Sequence, residues 1–271
     1  MSTAMSSPTW RRDARIPDGH YRFRHAARME WIKLRSLRST SWSLLLVVVA
    51  MVAIGVVTMA NTKAPSADKA AAFDATNNVL AGVAVGQLVI GVLGVLVVTG
   101  EYASGTIRAT LAAIPDRRLV LAAKSAVYGG MSLVVGEVVS FVTFLAGRAA
   151  LGAGVPRPSL GDAGVLRALL MSGAYLAMIG LIGIGVGAIT RHTASAVAVL
   201  VGVTFVLPAV IGGVSGTTVA KFFPTIIAAN SLAVAKPVSG VFSPWTGFAL
   251  ICLYTVAVLA AGERLLARRD A

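Results

Sequence analysis

Residues 79–98, VLAGVAVGQLVIGVLGVLVV, decide the fold of this chain because they form a long and strongly apolar stretch. An α-helix rises about 1.5 Å per residue, so about 20 mostly apolar residues are needed to cross a hydrocarbon core of about 30 Å. The stretch meets that requirement and carries no charged residue. It is therefore predicted to be a membrane-spanning helix, Val79–Val98.

Five further stretches have the length and apolar character of a membrane span. They are Trp42–Ala60, Leu119–Leu145, Leu166–Ile189, Ala194–Val214 and Trp245–Leu266. The chain as a whole is 56% hydrophobic and 13% charged, against about 45–50% and about 25% in soluble domains. The sequence thus predicts an all-α integral membrane protein with about six transmembrane helices.

The fourth and fifth stretches are the least clearly separated. Only Arg191, His192 and Thr193 interrupt the apolar pattern between them. Backbone polar groups cannot stay unpaired in hydrocarbon, so this connection is predicted to be a tight hairpin turn at one membrane surface. A reading with five spans is the alternative.

Lysine and arginine are unevenly divided between the two ends of the predicted spans, and cytoplasmic loops are enriched in them. One side carries Arg11, Arg12, Arg15, Arg22, Arg24, Arg28, Lys33, Arg35, Arg38, Arg108, Arg117, Arg118, Lys124, Arg191, Arg264, Arg268 and Arg269; the other carries Lys63, Lys69, Arg148, Arg157, Arg167, Lys221 and Lys236. Both termini are therefore predicted to be cytoplasmic, which agrees with an even number of spans. The net charge of +13 does not indicate nucleic-acid binding, because the basic residues lie between apolar runs.

The charge and hydropathy pattern divides the chain into three parts. Residues 1–41 are predicted to be a cytoplasmic N-terminal arm, 42–266 a six-span transmembrane domain, and 267–271 a cytoplasmic tail. A cleaved signal peptide is the alternative for the first apolar run, but the arm before it is too long for a charged leader. Cys252 is the single cysteine, and no metal-binding cluster is predicted.

The arm ends in a segment, Tyr21–Arg38, with the pattern of an amphipathic helix. Apolar Phe23, Ala27, Trp31 and Leu34 recur at helical spacing, and Arg24, Arg28, Lys33, Arg35 and Arg38 occupy the rest of the circumference. Such a helix lies in the membrane interface, where its cations meet anionic lipid. Trp31, Lys33, Leu34 and Arg35 are its candidate lipid-contacting residues, and a solvated basic arm is the alternative.

A second amphipathic segment, residues 99–115, TGEYASGTIRATLAAIP, connects the second and third spans. Its apolar residues Ala103, Ile107, Leu111 and Ile114 predict one stripe along a short cytoplasmic helix. Glu101 lies near the start of that helix, where negative charge is favoured, and Pro115 halts it. An interfacial hairpin that contacts only lipid is the alternative.

Three places in the sequence resemble the permeases of ABC exporters of the second type, the ABC-2 kind. They are residues 30–39 (EWIKLRSLRS); residues 101–108 (EYASGTIR) with 115–118 (PDRR) and Lys124; and residues 243–247 (SPWTG) with 268–270 (RRD). They are similar to the family's connecting helix, its coupling segment, and the beginning and end of its last span. The resemblance brackets nearly the whole chain.

The resemblance implies a permease subunit of an ATP-driven exporter in the bacterial plasma (inner) membrane, working as a permease dimer with separate ABC ATPase subunits. The ATPase would engage the Glu101–Ile114 helix, with Glu101, Tyr102, Gly105, Thr106, Ile107 and Arg108 as coupling residues. The sequence contains no Gly-x-x-x-x-Gly-Lys-Ser/Thr motif, so ATP and Mg²⁺ are expected on the partner and this chain is not expected to be an enzyme. Family breadth and the charge-poor spans favour an amphiphilic cargo, and a drug, a lipid, a peptide or an ion is an equal alternative.

Glu137 is the one acid predicted near the middle of the membrane, where a charge costs about 2.5–3.5 kcal/mol. It is either a polar contact along the substrate path or dimer seam, or a neutral side chain hydrogen-bonded to Ser132, Ser140 or Thr143. Lys124, about a turn from the cytoplasmic surface, is expected to extend its ammonium group to that surface.

The segment Ser215–Pro244 contains FFPTII at residues 222–227, too apolar for a free loop and too short to span. It is predicted to re-enter the outer leaflet before the last span, as in the permeases that the chain resembles. A self-contained ion-coupled carrier is the alternative function, but it would need ionisable groups on several spans. A membrane anchor or assembly protein without transport is a further alternative.

Overall fold

The computed structural model describes residues 22–65, 73–234 and 240–268, and every regular element in these ranges is helical. The helices are α1 (Phe23–Ser36), α2 (Arg38–Ala60), α3 (Ala75–Val79), α4 (Val83–Ala103), α5 (Thr106–Ala113), α6 (Arg117–Ala150), α7 (Val165–Thr190), α8 (Thr193–Val201), α9 (Leu207–Ser215), α10 (Thr217–Ala220), α11 (Pro224–Ser231) and α12 (Pro244–Arg268). Predictions about residues 1–21, 66–72, 235–239 and 269–271 lie outside the described residues.

Six helices are long and apolar enough to cross a membrane, which confirms the predicted number. Span 1 is α2, span 2 is α3 with α4 (Ala75–Ala103), span 3 is α6, span 4 is α7, span 5 is α8 with α9 (Thr193–Ser215), and span 6 is α12. Each helix is longer than the apolar stretch that predicted it. The extra residues include polar ones, because a helix can continue beyond the hydrocarbon where water and head groups solvate its side chains.

Span 4 forms the centre of the bundle and packs against spans 2, 3 and 6. Within its most apolar window 72% of residues are buried, against 22% in spans 1 and 6 and 17% in span 5. Spans 1, 5 and 6 therefore leave broad apolar faces open to lipid or to another protein chain.

The hairpin predicted between spans 4 and 5 is as tight as expected. Span 4 ends at Thr190 and span 5 begins at Thr193. Arg191 adopts a left-handed backbone with φ of 59°, and its N–H donates to the carbonyl of Gly187 at 2.9 Å. The chain reverses here without leaving that backbone donor unpaired.

Glycines allow spans 2 and 4 to approach closely. A Cβ atom on Gly94 would lie 2.1 Å from the carbonyl oxygen of Gly180, and one on Gly183 would lie 2.3 Å from that of Gly91. Membrane helices associate largely through such close van der Waals packing, since lipid provides little hydrophobic driving force.

Replacing Gly94 by alanine is expected to force spans 2 and 4 apart and to destabilise the bundle by about 1–3 kcal/mol. Gly100→Ala in the same helix is the matched control, because a Cβ atom there meets nothing within 4 Å. Thermal unfolding of the purified variants measures the difference. Equal melting temperatures for the two variants would contradict the close contact.

The spans alternate in direction, so the connections collect at two ends of the bundle. The α5 end carries α1, α5, the hairpin after span 4 and the end of span 6; the opposite end carries α3, α10 and α11. At the α5 end, Arg117 donates to the carbonyl of Leu266 at 2.9 Å. At the opposite end, Arg167 donates to the carbonyls of Ser231 and Ala233, each at 2.6 Å, and so fastens the end of α11 to span 4.

Candidate functional site

The predicted coupling segment is two helices rather than one, which corrects the sequence interpretation. Span 2 continues through Ala103, and α5 begins at Thr106. Between them Gly105 takes a left-handed backbone with φ of 72°, a conformation that glycine adopts without steric cost. Glu101 and Tyr102 therefore lie in the last turn of span 2 rather than at the start of α5.

The apolar stripe of α5 faces the protein itself. Ile107 and Ile114 are 5% and 6% exposed. Ile114 belongs to an apolar cluster with Ala26 of α1 and Val120 of α6, and Leu111 packs against that cluster. The stripe thus holds α5 on its own bundle.

Ile107, predicted as a coupling residue, packs on the bundle and is 5% exposed, so it lies on the inner face of α5. Gly105, Thr106 and Arg108 are exposed, as are Ala109, Ala112 and Ala113 further along α5. Of the six residues predicted to couple, Gly105, Thr106 and Arg108 have the accessibility that direct contact requires.

Four charged side chains meet beneath α5 and form what we call the charge cluster: Glu30 and Lys33 of α1, Glu101 of span 2, and Lys124 of span 3. Lys33 Nζ lies 3.0 Å from Glu30 Oε1 and 2.8 Å from Glu101 Oε1. Lys124 Nζ lies 2.7 Å from Glu30 Oε2 and 2.5 Å from Glu101 Oε1. Each lysine therefore bridges the same two carboxylates.

The charge cluster also includes α5 through a hydrogen bond. Lys33 Nζ donates to Thr110 Oγ1 at 3.2 Å, and Thr110 is itself buried. Burial alone would lower the pKa of Lys33, but the hydrogen bond to Glu101 and the charges of Glu30 and Glu101 outweigh it and raise the pKa above its ordinary value. Lys33 is thus held in its charged form, joining α1, span 2 and α5.

Lys124 corrects a second expectation. It was expected to extend its ammonium group to the surface, yet its side chain is 3% exposed, as buried as its partner Glu30 at 2%. Two carboxylates within hydrogen-bond distance replace the water that the ammonium group would otherwise seek. Removing one partner from such a buried pair costs about 3–5 kcal/mol, because it leaves the other charge without compensation.

The four residues predicted to face lipid on α1 divide into two pairs. Trp31 is 49% exposed and Arg35 is also exposed. Leu34 is 5% exposed, and Lys33 points into the charge cluster. Glu30, which was not predicted as a site residue, precedes Lys33 by three positions, and that spacing was the signal in the sequence.

The hairpin between spans 4 and 5 also contacts the end of span 2. The guanidinium carbon of Arg191 lies 5.3 Å from the ring centre of Tyr102, within the range of a cation–π interaction. Thr193 Oγ1 donates to Thr99 Oγ1 at 2.9 Å. A movement of span 2 would therefore be transmitted to the turn between spans 4 and 5.

Glu137 lies along span 3 and packs on span 4. A Cβ atom on Gly173 would lie 2.5 Å from Glu137 Cδ. Glu137 Oε2 is buried without a hydrogen-bond partner among the described residues, as are the hydroxyls of Ser132 and Thr143. Ser140 bonds Ser172 at 2.5 Å. The structure thus shows none of the predicted hydroxyl partners bonded to Glu137.

A polar chain that the sequence did not indicate crosses the bundle towards α11. Tyr175 of span 4 donates to Gln87 Oε1 of span 2, and Gln87 Nε2 donates to Thr225 Oγ1 at 3.3 Å. Thr225 of α11 in turn donates to the carbonyl of Thr204 in span 5. Pro208, four residues after Thr204, has no N–H to bond that carbonyl, so the hydroxyl of α11 replaces the missing helical donor.

A metal centre is not formed by the part of the chain described: within it, no three His, Cys, Asp or Glu side chains are grouped so as to hold an ion. The charges that are brought together form ion pairs instead. These ion pairs link the helices mechanically.

The chain matches the family described as "ABC-2 family transporter protein" over residues 26–207. No curated protein matches the sequence. The matched segment exceeds half of the chain and includes the whole charge cluster and α5. The chain therefore belongs to the ABC-2 family of transporter proteins, as a multi-pass membrane permease.

Proposed function

We propose that this chain is the transmembrane permease subunit of an ATP-driven exporter, and that a separate ATPase docks on the exposed face of α5. The observation that carries the proposal is the charge cluster. It joins α1 to spans 2 and 3 through ion pairs, and it joins α5 through the hydrogen bond from Lys33 to Thr110. A displacement of α5 would consequently move both spans together.

The two faces of α5 suit a helix that transmits force. Its buried face, with Ile107 and Thr110, is attached to the bundle, and its outer face, with Thr106 and Arg108, is accessible. Span 2 ends three residues before α5, and span 3 begins four residues after it. A partner that pushes on the outer face would act on a helix held at both ends.

The proposal includes an orientation and a location. The lysine and arginine bias favours a cytoplasmic α5 end, where ATP is available, in the plasma (inner) membrane of a bacterium. The open faces of spans 1 and 5 suit pairing with a second permease subunit or contact with lipid. ATP and Mg²⁺ would be bound by the ATPase subunit.

An ion-coupled carrier is less well supported. Such carriers need ionisable groups on several spans near the middle of the membrane. Within the described spans, Glu101 and Glu263 lie near the α5 end, and Glu137 is the acid at an intermediate depth. A single acid does not form an ion pathway across the bundle.

Replacing Arg108 by glutamate is expected to weaken ATPase docking at least about fivefold, since a contact buried in an interface contributes about 1 kcal/mol or more. The unfolding free energy should change by less than about 0.5 kcal/mol, because Arg108 is exposed. Tagged permease purified from its native membranes is assayed for the bound ATPase subunit and for its ATP hydrolysis.

Arg157→Glu is the control for Arg108→Glu, because Arg157 is an exposed arginine at the opposite end of the bundle. It should retain both the ATPase and its activity. If Arg108→Glu retains them equally, the outer face of α5 is not the docking surface.

A further inference from the structure

A crevice of about 440 Å³ lies between spans 5 and 6. Both spans pack on span 4 but make little direct contact with each other, so span 4 forms the floor of the crevice. Its lining includes Val199 and Val203 of span 5, Ala257 of span 6, and Phe222 and Pro224 of the outer segment. Val199 is 45% exposed and Val203 is 38% exposed, so the crevice opens sideways to the surroundings of the bundle.

The interior of the crevice accepts hydrocarbon and not polar groups. Its lining contains two polar side chains, and both already have hydrogen-bond partners. Thr204 Oγ1 donates to the carbonyl of Leu200 at 2.7 Å, and Tyr254 Oη donates to the carbonyl of Phe222 at 3.1 Å. A polar ligand atom placed here would lose its hydrogen bonds without replacement, which is costly. The part of a ligand that enters is therefore an apolar chain.

A cation lies at the α11 end of the crevice. Lys221 Nζ is 5.5 Å from the ring centre of Phe222, which lines the crevice, and 5.4 Å from the ring centre of Phe242. Phe242 comes just before the first residue of span 6, and the carbonyl of Phe222 bonds Tyr254 further along that span. Lys221 therefore lies at the level of the first turns of span 6, where lipid head groups meet hydrocarbon.

The ammonium group of Lys221 is available to a ligand. Lys221 is half-buried, but its Nζ atom is not enclosed by the bundle. Within the described ranges, none of the ion pairs includes Lys221. A cation beside hydrocarbon is unfavourable without a counter-charge, and two aromatic rings compensate only part of its lost hydration. A negatively charged phosphate supplies that counter-charge and accepts a charge-assisted hydrogen bond.

We propose that this crevice binds an anionic phospholipid from the bilayer leaflet at the α11 end, with one acyl chain between spans 5 and 6 and its phosphate at Lys221. The sideways opening lets the chain enter without leaving its leaflet. The lipid is a ligand of the fold itself and does not depend on the ATPase. It covers the apolar walls of the crevice and links the outer segment to spans 5 and 6.

Photo-crosslinking tests the proposal. The purified permease is placed in phosphatidylcholine nanodiscs with a small fraction of phosphatidylglycerol or phosphatidylcholine that carries a diazirine in one acyl chain, and labelled residues are located by mass spectrometry. Labelling of Val199, Val203 and Ala257 should be about fivefold greater with phosphatidylglycerol, the ratio expected from one lysine near an anionic lipid. Excess unlabelled phosphatidylglycerol should suppress it, whereas soluble glycerophosphoglycerol, which lacks acyl chains, should not.

Variants of Lys221 examine the head-group end. Lys221→Gln should reduce the ratio between the two probes to about one, because it removes the charge that distinguishes them. Lys221→Arg keeps the charge and should keep the ratio. Lys63→Gln is the matched control, because Lys63 is an exposed lysine at the same end of the bundle. An unchanged ratio in Lys221→Gln would overturn the proposal.

A variant of Ala257 examines the apolar part. Ala257→Trp fills the crevice and should reduce the labelling of Val199 and Val203 by both probes. Val256→Trp is the control, because Val256 is 64% exposed on the same helix and lies outside the lining of the crevice. Equal labelling by the two probes in the unmodified permease would overturn the proposal. So would the absence of lipid labelling in the crevice, the result expected if a second protein chain covered it.

Discussion

Replacing Lys124 by methionine is expected to lower the unfolding free energy by about 3–5 kcal/mol, the range found when one member of a buried ion pair is removed. Methionine keeps most of the apolar volume of the lysine stem, so the loss reports the charge and not a cavity. Glu30, 2% exposed, would then lie buried near Lys33 alone. Unfolding of the purified permease in mixed detergent micelles, followed by circular dichroism, measures the change.

Arg118→Met is the matched control for Lys124→Met, because it removes a basic residue from the same helix. Arg118 pairs with Glu263 at 3.4 Å, but the two side chains are 72% and 42% exposed. An exposed pair contributes at most about 1 kcal/mol. If the two variants lose similar stability, the charge cluster does not hold the α5 end together.

The Glu30→Gln variant tests whether Glu30 and Lys124 stabilise the protein through their interaction in the charge cluster. Alone it should destabilise, because it leaves Lys33 and Lys124 with one carboxylate between them. Combined with Lys124→Met it leaves the neutral pair Lys33 and Glu101, so the double variant should lose less than the sum of the two single changes. Simple additivity would mean that the two side chains do not interact.

The spans could be predicted from the sequence because burial in lipid demands a long apolar run, a property of consecutive residues. The residues at which the helices end were harder to predict from the sequence. Gly105 and Pro115 both interrupt the segment after span 2, but only the three-dimensional course shows that the left-handed turn at Gly105 ends span 2 and leaves Glu101 inside it. Hydropathy likewise did not predict how far each helix continues beyond its apolar run.

Charged residues of the site could be identified from the sequence, but the sequence did not show which of them form ion pairs. Lys33 and Glu101 were identified as candidates, yet they are 68 positions apart, and Lys124 and Glu30 are 94 apart. Which charges meet is decided by how α1 packs on spans 2 and 3. The stripe with Ile107 was predicted correctly as apolar, but amphipathicity does not tell whether the covering surface is a partner or the chain's own α1.

The polar chain in the opposite half of the bundle lends itself to a second test with a large expected effect. Thr225→Val keeps the shape of the side chain and removes the hydroxyl that bonds the carbonyl of Thr204 and accepts from Gln87. Each buried polar group left unsatisfied costs about 1–3 kcal/mol, so the variant should lose at least that much stability. Thr246→Val is the control, since Thr246 is exposed and bonds Ser243 three positions before it.

The Pro208→Ala variant shows whether the stability lost in Thr225→Val comes from the unpaired carbonyl of Thr204. An alanine at position 208 restores a backbone N–H that can bond the carbonyl of Thr204 in a regular helical turn, in place of the π-helical turn Gly202–Val206. Thr225→Val should then cost less in the Pro208→Ala background than in the original chain, because only Gln87 is left unsatisfied. The double-mutant cycle over these two positions measures the difference as a coupling energy of about 0.5–3 kcal/mol. A coupling energy of zero would mean that Thr225 does not replace the donor that proline removes, and that the irregular turn in span 5 is maintained by packing instead.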